Sequence, residues 1–217
     1  LYDFKKNREK FFEILFKTIE EYGLSCSFLG KTVPDELKKE FVKTYYSRYN
    51  KENYLKMRED YNKDKKNLKL LYLLLIYGFN HMIRFNLKGD FNLPVGNVDF
   101  NQNVFVALNN YFDFLKKNNL KFFNQDYKEF LNSHSFKRGD FIYFDPPYLI
   151  SNSEYNKMWS EKDERKLYQI LDNLNKKNVR FGLSHLVIHK DKEKEILLNW
   201  MGKYKVYEVN SNYISRF

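Results

Sequence analysis

The sequence predicts an α/β protein in which a mostly helical block is set ahead of a strand-bearing part. Three observations carry this. Residues 25–118 show apolar residues at helical spacing interrupted by loop signals; from about residue 120 short β-prone runs alternate with amphipathic helices; and one of those runs stops abruptly in "FDPPY", residues 144–148. Strands alternating with helices imply a parallel or mixed sheet with helices on its faces. In such sheets ligands bind beyond the carboxyl ends of the strands.

Taken in order, residues 3–22 place Phe11, Phe12, Ile14, Leu15 and Ile19 at helical spacing, an amphipathic helix. Pro34-Asp35-Glu36 opens a helix over 34–49, because proline suits a first helical turn. Residues 51–66 are highly charged and read as helical or loose, and 67–77 as a buried apolar helix. Residues 78–97, rich in Gly, Asn and Pro, read as loop with a short hairpin, and 101–118 as a further helix. Beyond them "LKFFNQDYKEFL" (120–131) reads as a short strand and turn, and "DFIYF" (140–144) as a strand. Residues 160–178 form a helix with Ser160 as its N-cap. "VRFGLSHL" (179–186) is a buried strand, "KDKEKEILLNWMG" (190–202) a helix closed by Gly202, and "KYKVYEVN" (203–210) a strand.

The chain has 217 residues, 43% of them hydrophobic, enough to bury the core of one large domain or of a domain with an insertion. Its net charge of +10 is spread as +4, +2 and +4 over residues 1–66, 67–120 and 121–217. That spread excludes a basic tail. It leaves either a folded patch for an anionic partner, nucleic acid being the commonest, or solvated lysines. Cys26 is the only cysteine, so neither a disulfide framework nor a cysteine metal site is possible within one chain. Of the four histidines, His81, His134, His185 and His189, the last two are close in sequence but lack a metalloprotease glutamate. No metal is expected. The run "LKLLYLLLIYGF" is too short to span a bilayer, and no signal peptide is visible, so no membrane partner and a cytoplasmic location are expected.

Two prolines cannot continue a central strand, because they lack its ladder donors. The strand therefore ends at about Phe144 and delivers a fixed set of groups to its carboxyl edge. Asp145 offers an acceptor-only carboxylate. The carbonyl of Pro146 is a second acceptor, held rigidly beside the first by Pro147, and Tyr148 offers a flat face. Such a set suits a planar group bearing an NH₂. Hydrogen bonds from both amine protons would draw the nitrogen toward tetrahedral geometry and free its lone pair for attack on an electrophilic methyl group. The competing reading is a plain β-turn closing a strand.

"DPPY" at a strand end resembles the catalytic motif of the amino-methyltransferases that use S-adenosylmethionine. A second stretch, "YGFNHMIRFNLKGDFNLPVG" (77–96), resembles the target-recognition segment of the Dam-type, D12 class DNA adenine N6-methyltransferases. The matching positions are Tyr77, Gly78, Asn80, Arg84, Asn86, Lys88, Gly89, Phe91, Asn92, Pro94 and Gly96, in the family's order, and the likeness covers roughly residues 65–217. It implies a Rossmann-like methyltransferase sheet with a helical target-recognition domain inserted. Residues 1–24 and 119–217 would form the methyltransferase core, and residues 25–118 the DNA-binding domain. Asp145, Pro146, Pro147 and Tyr148 would be catalytic. Asp145 would also lie against the amino acid end of S-adenosylmethionine, and Asp126 and Tyr127 along its adenosine. Phe79 and Asn80 would wedge into double-stranded DNA as the target adenine flips out, Arg84 would read a base and Lys88 contact phosphate. A nucleoid-associated enzyme of a Dam-like or restriction–modification system is expected, in the latter with a cognate endonuclease.

Two departures qualify the resemblance. The family's glycine-rich F-x-G-x-G cofactor loop and the lysine-bearing segment before it are absent from the 217 residues; the expectation is that roughly 40–50 residues precede Leu1. Asn97 stands where Dam-type enzymes carry arginine or lysine, so the recognition sequence GATC is not expected as such. A non-catalytic DNA-binding relic or fragment, and an amino-methyltransferase acting on RNA or protein, remain as alternative readings.

Overall fold

The computed structural model describes residues 7–149, 159–189, 192–193 and 195–209. The chain divides between Phe122 and Phe123 into two compact units.

The first unit is helical. Helix α1, Arg8–Glu21, starts at Asn7, whose side chain accepts from the Lys10 N–H, and buries Phe11, Phe12, Leu15, Thr18 and Ile19 along one face. These residues join the core of this unit. Around them Phe11, Phe12, Phe105 and Phe112 pack with ring centroids 4.8–6.1 Å apart.

The helix expected over 34–49 is two elements. Helix α2, Asp35–Glu40, stops at Phe41, and helix α3, Tyr45–Lys63, takes in the charged stretch. The break falls where Val42 is exposed and offers nothing to bury. Helix α3 buries only Asn50, Tyr54, Met57 and Tyr61, a narrow stripe, and leaves its charges in water. The side chain of Thr44, its N-cap, accepts no capping bond from the helix N–H groups. Asn97 serves instead: its Oδ1 accepts from the N–H groups of Tyr46 and Ser47 at 3.0 and 3.2 Å, and its amide donates to the Lys43 carbonyl at 2.7 Å. A remote side chain thus satisfies the orphan donors of a helix start.

Helix α4, Leu68–Tyr77, is nearly all apolar and buries Leu70, Leu73, Leu74, Ile76 and Tyr77. No helix among the described residues is long and apolar enough to cross a membrane. The chain leaves α4 at Gly78 and returns at Gly96, whose N–H donates to the Tyr77 carbonyl at 2.7 Å, while Phe79 N–H donates to Pro94 at 2.9 Å. This close approach accounts for both glycines. A Cβ on Gly96 would lie 2.7 Å from the Gly78 carbonyl, and one on Gly78 2.5 Å from that of Leu74. Helix α5, Gln102–Lys117, closes the unit, with Asn101 as its N-cap.

The second unit is α/β. The strand expected within 120–131 is replaced by helix α6, Tyr127–Ser133, because Asp126 caps it by accepting from the Lys128 N–H and no strand partners the residues before it. Strand β1, Phe141–Phe144, pairs in parallel with strand β2, Arg180–Leu183. Between them runs helix α7, Glu161–Lys176, which opens with a reciprocal capping box of Ser160 and Asp163. Leu167, Leu171 and Leu174 of α7 bury against Phe144, Val179 and Leu197. Strands β3, Ile188–His189, and β4, Lys192–Glu193, form a minimal antiparallel pair, so the helix expected over 190–202 is confined to α8, Glu195–Met201. Asp172 of α7 ties down the end of α8, accepting from Trp200, Lys203 and Tyr204 at 2.6–2.9 Å. The strand expected over 203–210 is not formed at 205–209, which pair with no strand among the described residues and leave Val206, Tyr207 and Val209 exposed; residue 210 lies outside the described residues. The α/β class holds, with a small parallel sheet.

Because Gly96 faces backbone and not a movable side chain, Gly96→Ala is expected to destabilise the helical unit by about 1–3 kcal/mol, the usual cost of overpacking. Urea unfolding followed by far-ultraviolet circular dichroism measures it. A variant as stable as the parent would show that the 77–79 and 94–96 segments can part without loss.

Candidate active site

The parallel register pairs Phe144 with Leu183, and the Ser184 N–H extends it by donating to the Phe144 carbonyl at 3.0 Å. Asp145 and Ser184, each one residue past its strand, are therefore neighbours. The Ser184 hydroxyl donates to Asp145 Oδ1 at 2.7 Å, and the Tyr148 hydroxyl donates to the same oxygen at 2.7 Å. These two bonds, Ser184 first, hold the Asp145 carboxyl below the usual carboxylate range, with His185 adding to the effect. Ser184 draws the Tyr148 phenol downward, but burial and the Asp145 carboxylate outweigh it and the net shift is upward. Asp145 is exposed, and Pro146, Pro147 and Tyr148 are half-buried. Among the described residues, Asp145 Oδ2 and the Pro146 carbonyl accept no hydrogen bond. The corner thus holds one oxygen of a carboxylate by protein donors and leaves the other, with a backbone acceptor beside it.

Behind the corner lies a polar group that the motif reading missed. The Tyr148 ring packs on that of His185, centroids 5.2 Å apart at 34°. His185 Nε2 is 2.7 Å from Glu164 Oε1, with both side chains almost wholly buried. Tyr168 donates to the same oxygen at 2.6 Å, and burial, followed by this bond, pushes its phenol well up. His185 Nδ1 lies 2.8 Å from the Leu186 N–H nitrogen and 3.3 Å from the Leu186 carbonyl. A signal for this existed in the sequence. Glu164 shares the face of α7 that buries Leu167, Leu171 and Leu174, and a carboxylate in that phase demands partners.

Asp126 and Tyr127 are in the same unit. The Asp126 carboxylate is occupied in capping α6, accepting from Lys128 N–H at 2.8 Å. Burial first, then the charges of Asp126 and Asp163, push the Tyr127 phenol up to about 12. Among the described residues, the Tyr127 hydroxyl and the Trp159 indole N–H are buried without a hydrogen-bond partner, their rings 6.1 Å apart. Buried donors are seldom left so, and a polar ligand would satisfy them. Among the described residues no three His, Cys, Asp or Glu side chains cluster to hold a metal.

The other predicted residues are in the helical unit. Every residue from Phe79 to Gly89 is exposed. Asn80 and His81 have φ of 51° and 53°, two successive side-chain-bearing residues in the left-handed region, which is uncommon outside Asn, Asp and His. His81 Nδ1 lies 2.9 Å from the Leu75 carbonyl, which helps to hold that turn. Beyond it Phe85 and Phe91 pair across a short hairpin. Its tip is built by Asn86, whose Oδ1 accepts from the N–H groups of Lys88 and Asp90, and by Gly89 at φ 73°. Lys88 and a fully exposed Leu87 occupy that tip. Arg84 precedes it, with two bonds to Asn92 at 2.9 and 2.7 Å. Asn97 is committed to the start of α3.

One unit thus carries a parallel-strand corner bearing Asp-Pro-Pro-Tyr, and the other carries an exposed hairpin. Residues 9–213 match the family described as D12 class N6 adenine-specific DNA methyltransferase, and the chain belongs to that family. It is 35% identical over 205 residues to the Type II methyltransferase M.FokI of Planomicrobium okeanokoites, covering 91% of this chain and 28% of that protein. It is 33% identical over 162 residues to the modification methylase StsI of Streptococcus sanguinis, covering 71% of this chain and 24% of that protein. Over 111 residues it is 32% identical to the DNA adenine methylase of Escherichia coli K12, covering 48% and 37%. The chain therefore spans about a quarter to little more than a third of these relatives. Membership implies a methyl donor.

Glu164→Ala would leave the Tyr168 hydroxyl and the His185 imidazole buried without their acceptor. A loss of about 3 kcal/mol is expected, and Glu164→Gln, which keeps an acceptor oxygen, should recover most of it. The two tryptophans, Trp159 and Trp200, both belong to this unit, so urea unfolding followed by tryptophan fluorescence reports on it alone. An unchanged midpoint for Glu164→Ala would show that the group adds nothing to stability.

Proposed function

We propose that the protein transfers a methyl group from S-adenosylmethionine to the N6 amine of adenine in double-stranded DNA. The observation that carries this is the Asp145 corner: an ionised carboxylate with one oxygen tied by two hydroxyls, the other oxygen beside the Pro146 carbonyl, and an aromatic ring within three residues. Asp145 Oδ2 and the Pro146 carbonyl accept the two N6 protons, and Tyr148 stacks on the flipped base. Pro147 keeps the turn stiff. Bond by bond, N6 gains the methyl carbon as the carbon–sulfur bond breaks. The alkylated nitrogen is then far more acidic than any carboxylic acid, so Asp145 can take its proton even with a lowered pKa and release it to water. S-adenosylmethionine supplies the electrophilic methyl group. Asp145 would face its amino acid end, and Asp126 and Tyr127 would lie along its adenosine, where the Tyr127 and Trp159 donors, unpartnered among the described residues, would find acceptors. On this reading β1, α7 and β2 belong to a Rossmann-like sheet, and Phe123–Phe217 is catalytic.

Within the helical unit, residues 25–118 are then the DNA-recognition domain. Phe79 and Asn80 enter the duplex at the site of the flipped adenine, whose extrusion costs a few kcal/mol. Arg84 reads a base edge and Lys88 contacts phosphate. The relatives' names, type II methyltransferase and modification methylase, support a place in a restriction–modification system with a cognate endonuclease.

Duplex DNA incubated with the full-length protein and S-adenosylmethionine should yield N6-methyladenine by mass spectrometry of the digest. Methylation of cytosine, of RNA alone or of protein would overturn the assignment. Asp145→Ala should raise the barrier by about 2.7–4 kcal/mol or more while duplex binding, set mostly by phosphate contacts, persists. Near-normal turnover in that variant would remove Asp145 from the chemistry.

Arg84 and Lys88 should separate by type of effect. A guanidinium pairs bidentately with guanine O6 and N7, whereas an ammonium acts as a point charge. Arg84→Ala is expected to cost about 1–3 kcal/mol and to relax preference at one base position; Lys88→Ala should weaken all duplexes alike and lower the salt slope by roughly one. Methylation of duplexes with single base changes, at two salt concentrations, checks both. A uniform loss in Arg84→Ala would make it a positioning residue.

A further inference from the structure

Arg84 is exposed and makes no ion pair among the described residues, yet its guanidinium is held. Nε–H donates to Asn92 Oδ1 at 2.9 Å and Nη2–H to the Asn92 carbonyl at 2.7 Å. Both bonds lie along the side edge of the guanidinium and both go to one residue. The end edge, formed by Nη1 and the second hydrogen of Nη2, is left over, and Nη1 donates to no protein acceptor among the described residues. We infer that Asn92 determines specificity by fixing the plane of the Arg84 guanidinium, so that its end-on fork is presented to a base edge. The inference rests on the proposal that Arg84 reads a base.

The chemistry of the tether supports this. A carboxylate would hold the guanidinium as well but would neutralise it. An amide and a peptide carbonyl orient the group and leave its full charge for a ligand. The tether is also stiff. Asn92 N–H donates back to the Arg84 carbonyl at 3.1 Å, so the two residues are cross-strand partners. On either side of Asn92, Phe91 and Leu93 are buried and gripped by α3. Asn62 makes two bonds to the Phe91 backbone at 2.8 and 3.0 Å, and Arg58 and Tyr54 each reach the Leu93 carbonyl at 3.2 Å. Arg84 is thus fastened to Asn92, and Asn92 to the core of the unit. Fixing a rotamer-rich side chain before binding removes an ordering cost that would otherwise fall on recognition.

The test is kcat/KM for methylation by the full-length protein on the preferred duplex and on duplexes with single base changes. Asn92→Ala is expected to lower discrimination about tenfold at the position affected by Arg84→Ala, with little change elsewhere. The double variant should discriminate no worse than Arg84→Ala alone, since the two residues act as one unit. Asn92→Asp, which keeps both acceptors but neutralises the guanidinium, should recover the ratio while lowering kcat/KM on every duplex. Asn92→Ser, too short to reach Nε, replaces the alanine variant if that does not fold. An unchanged ratio in Asn92→Ala, an equal loss on every duplex, a loss at a different position, or failure of Asn92→Asp to recover the ratio would each overturn the inference while the reading role of Arg84 stands. A uniform loss in Arg84→Ala would overturn that role and this inference with it.

Discussion

The position of the catalytic candidates depends on one hydrogen bond, from the Ser184 N–H to the Phe144 carbonyl, 3.0 Å long and one step beyond the parallel ladder. In a parallel pair, equivalent residues stand side by side, so prolonging the register by one residue brings Ser184 against Asp145. The prolines then end the ladder, having no N–H to donate. Asp145 therefore sits at the last place a strand can hold a side chain firmly while leaving it open to a ligand. The crossover helix α7 maintains the pairing, because its leucines bury against Phe144 and Val179. What reacts at the corner is thus set by packing on the far side of the sheet.

Two carboxylates near this corner are treated alike by their donors and differently by burial. Asp145 Oδ1 takes bonds from Ser184 and Tyr148, and Glu164 Oε1 from Tyr168 and His185. Asp145 is exposed; Glu164 is wholly buried. An interior carboxylate is costly unless well bonded, and Glu164 uses its bonds to make that position tenable. It fixes the imidazole on which the Tyr148 ring rests. Asp145 needs no such compensation and can offer its second oxygen outward. Environment, more than residue type, divides structural from chemical work between them.

How much of this was legible in the sequence depended on whether an element is defined locally. Helix α7 announced itself through its Ser160 N-cap, and β1 through the proline stop. The span 34–49 did not, because its break at Phe41–Thr44 reflects the absence of anything for Val42 to pack on, a tertiary fact. The 205–209 segment has strand-like residues, but a strand exists only with a partner. The Asp-Pro-Pro-Tyr set was readable because its four members are adjacent in sequence. Ser184 and His185 lie nearly forty residues away and join the corner only through strand register, which no local pattern discloses.

Helix α3 shows the same dependence in the other unit. By composition it is a poor candidate for a stable buried helix, with few apolar residues along 19 positions. Tyr54, Arg58 and Asn62 follow one another at intervals of four, so they share a face. That face is satisfied by the returning backbone of Phe91 and Leu93. Lys65, just past its end, pairs with Asp90 at 2.8 Å, and Asn97 completes its first turn. The helix thus finds its polar partners in the hairpin, and the hairpin finds its mount in the helix. Asn97 makes the exchange explicit: its side chain is given over to capping α3, so the exposed positive charge of this hairpin rests on Arg84 and Lys88, and the rigidity of the mount matters more to how that charge is presented.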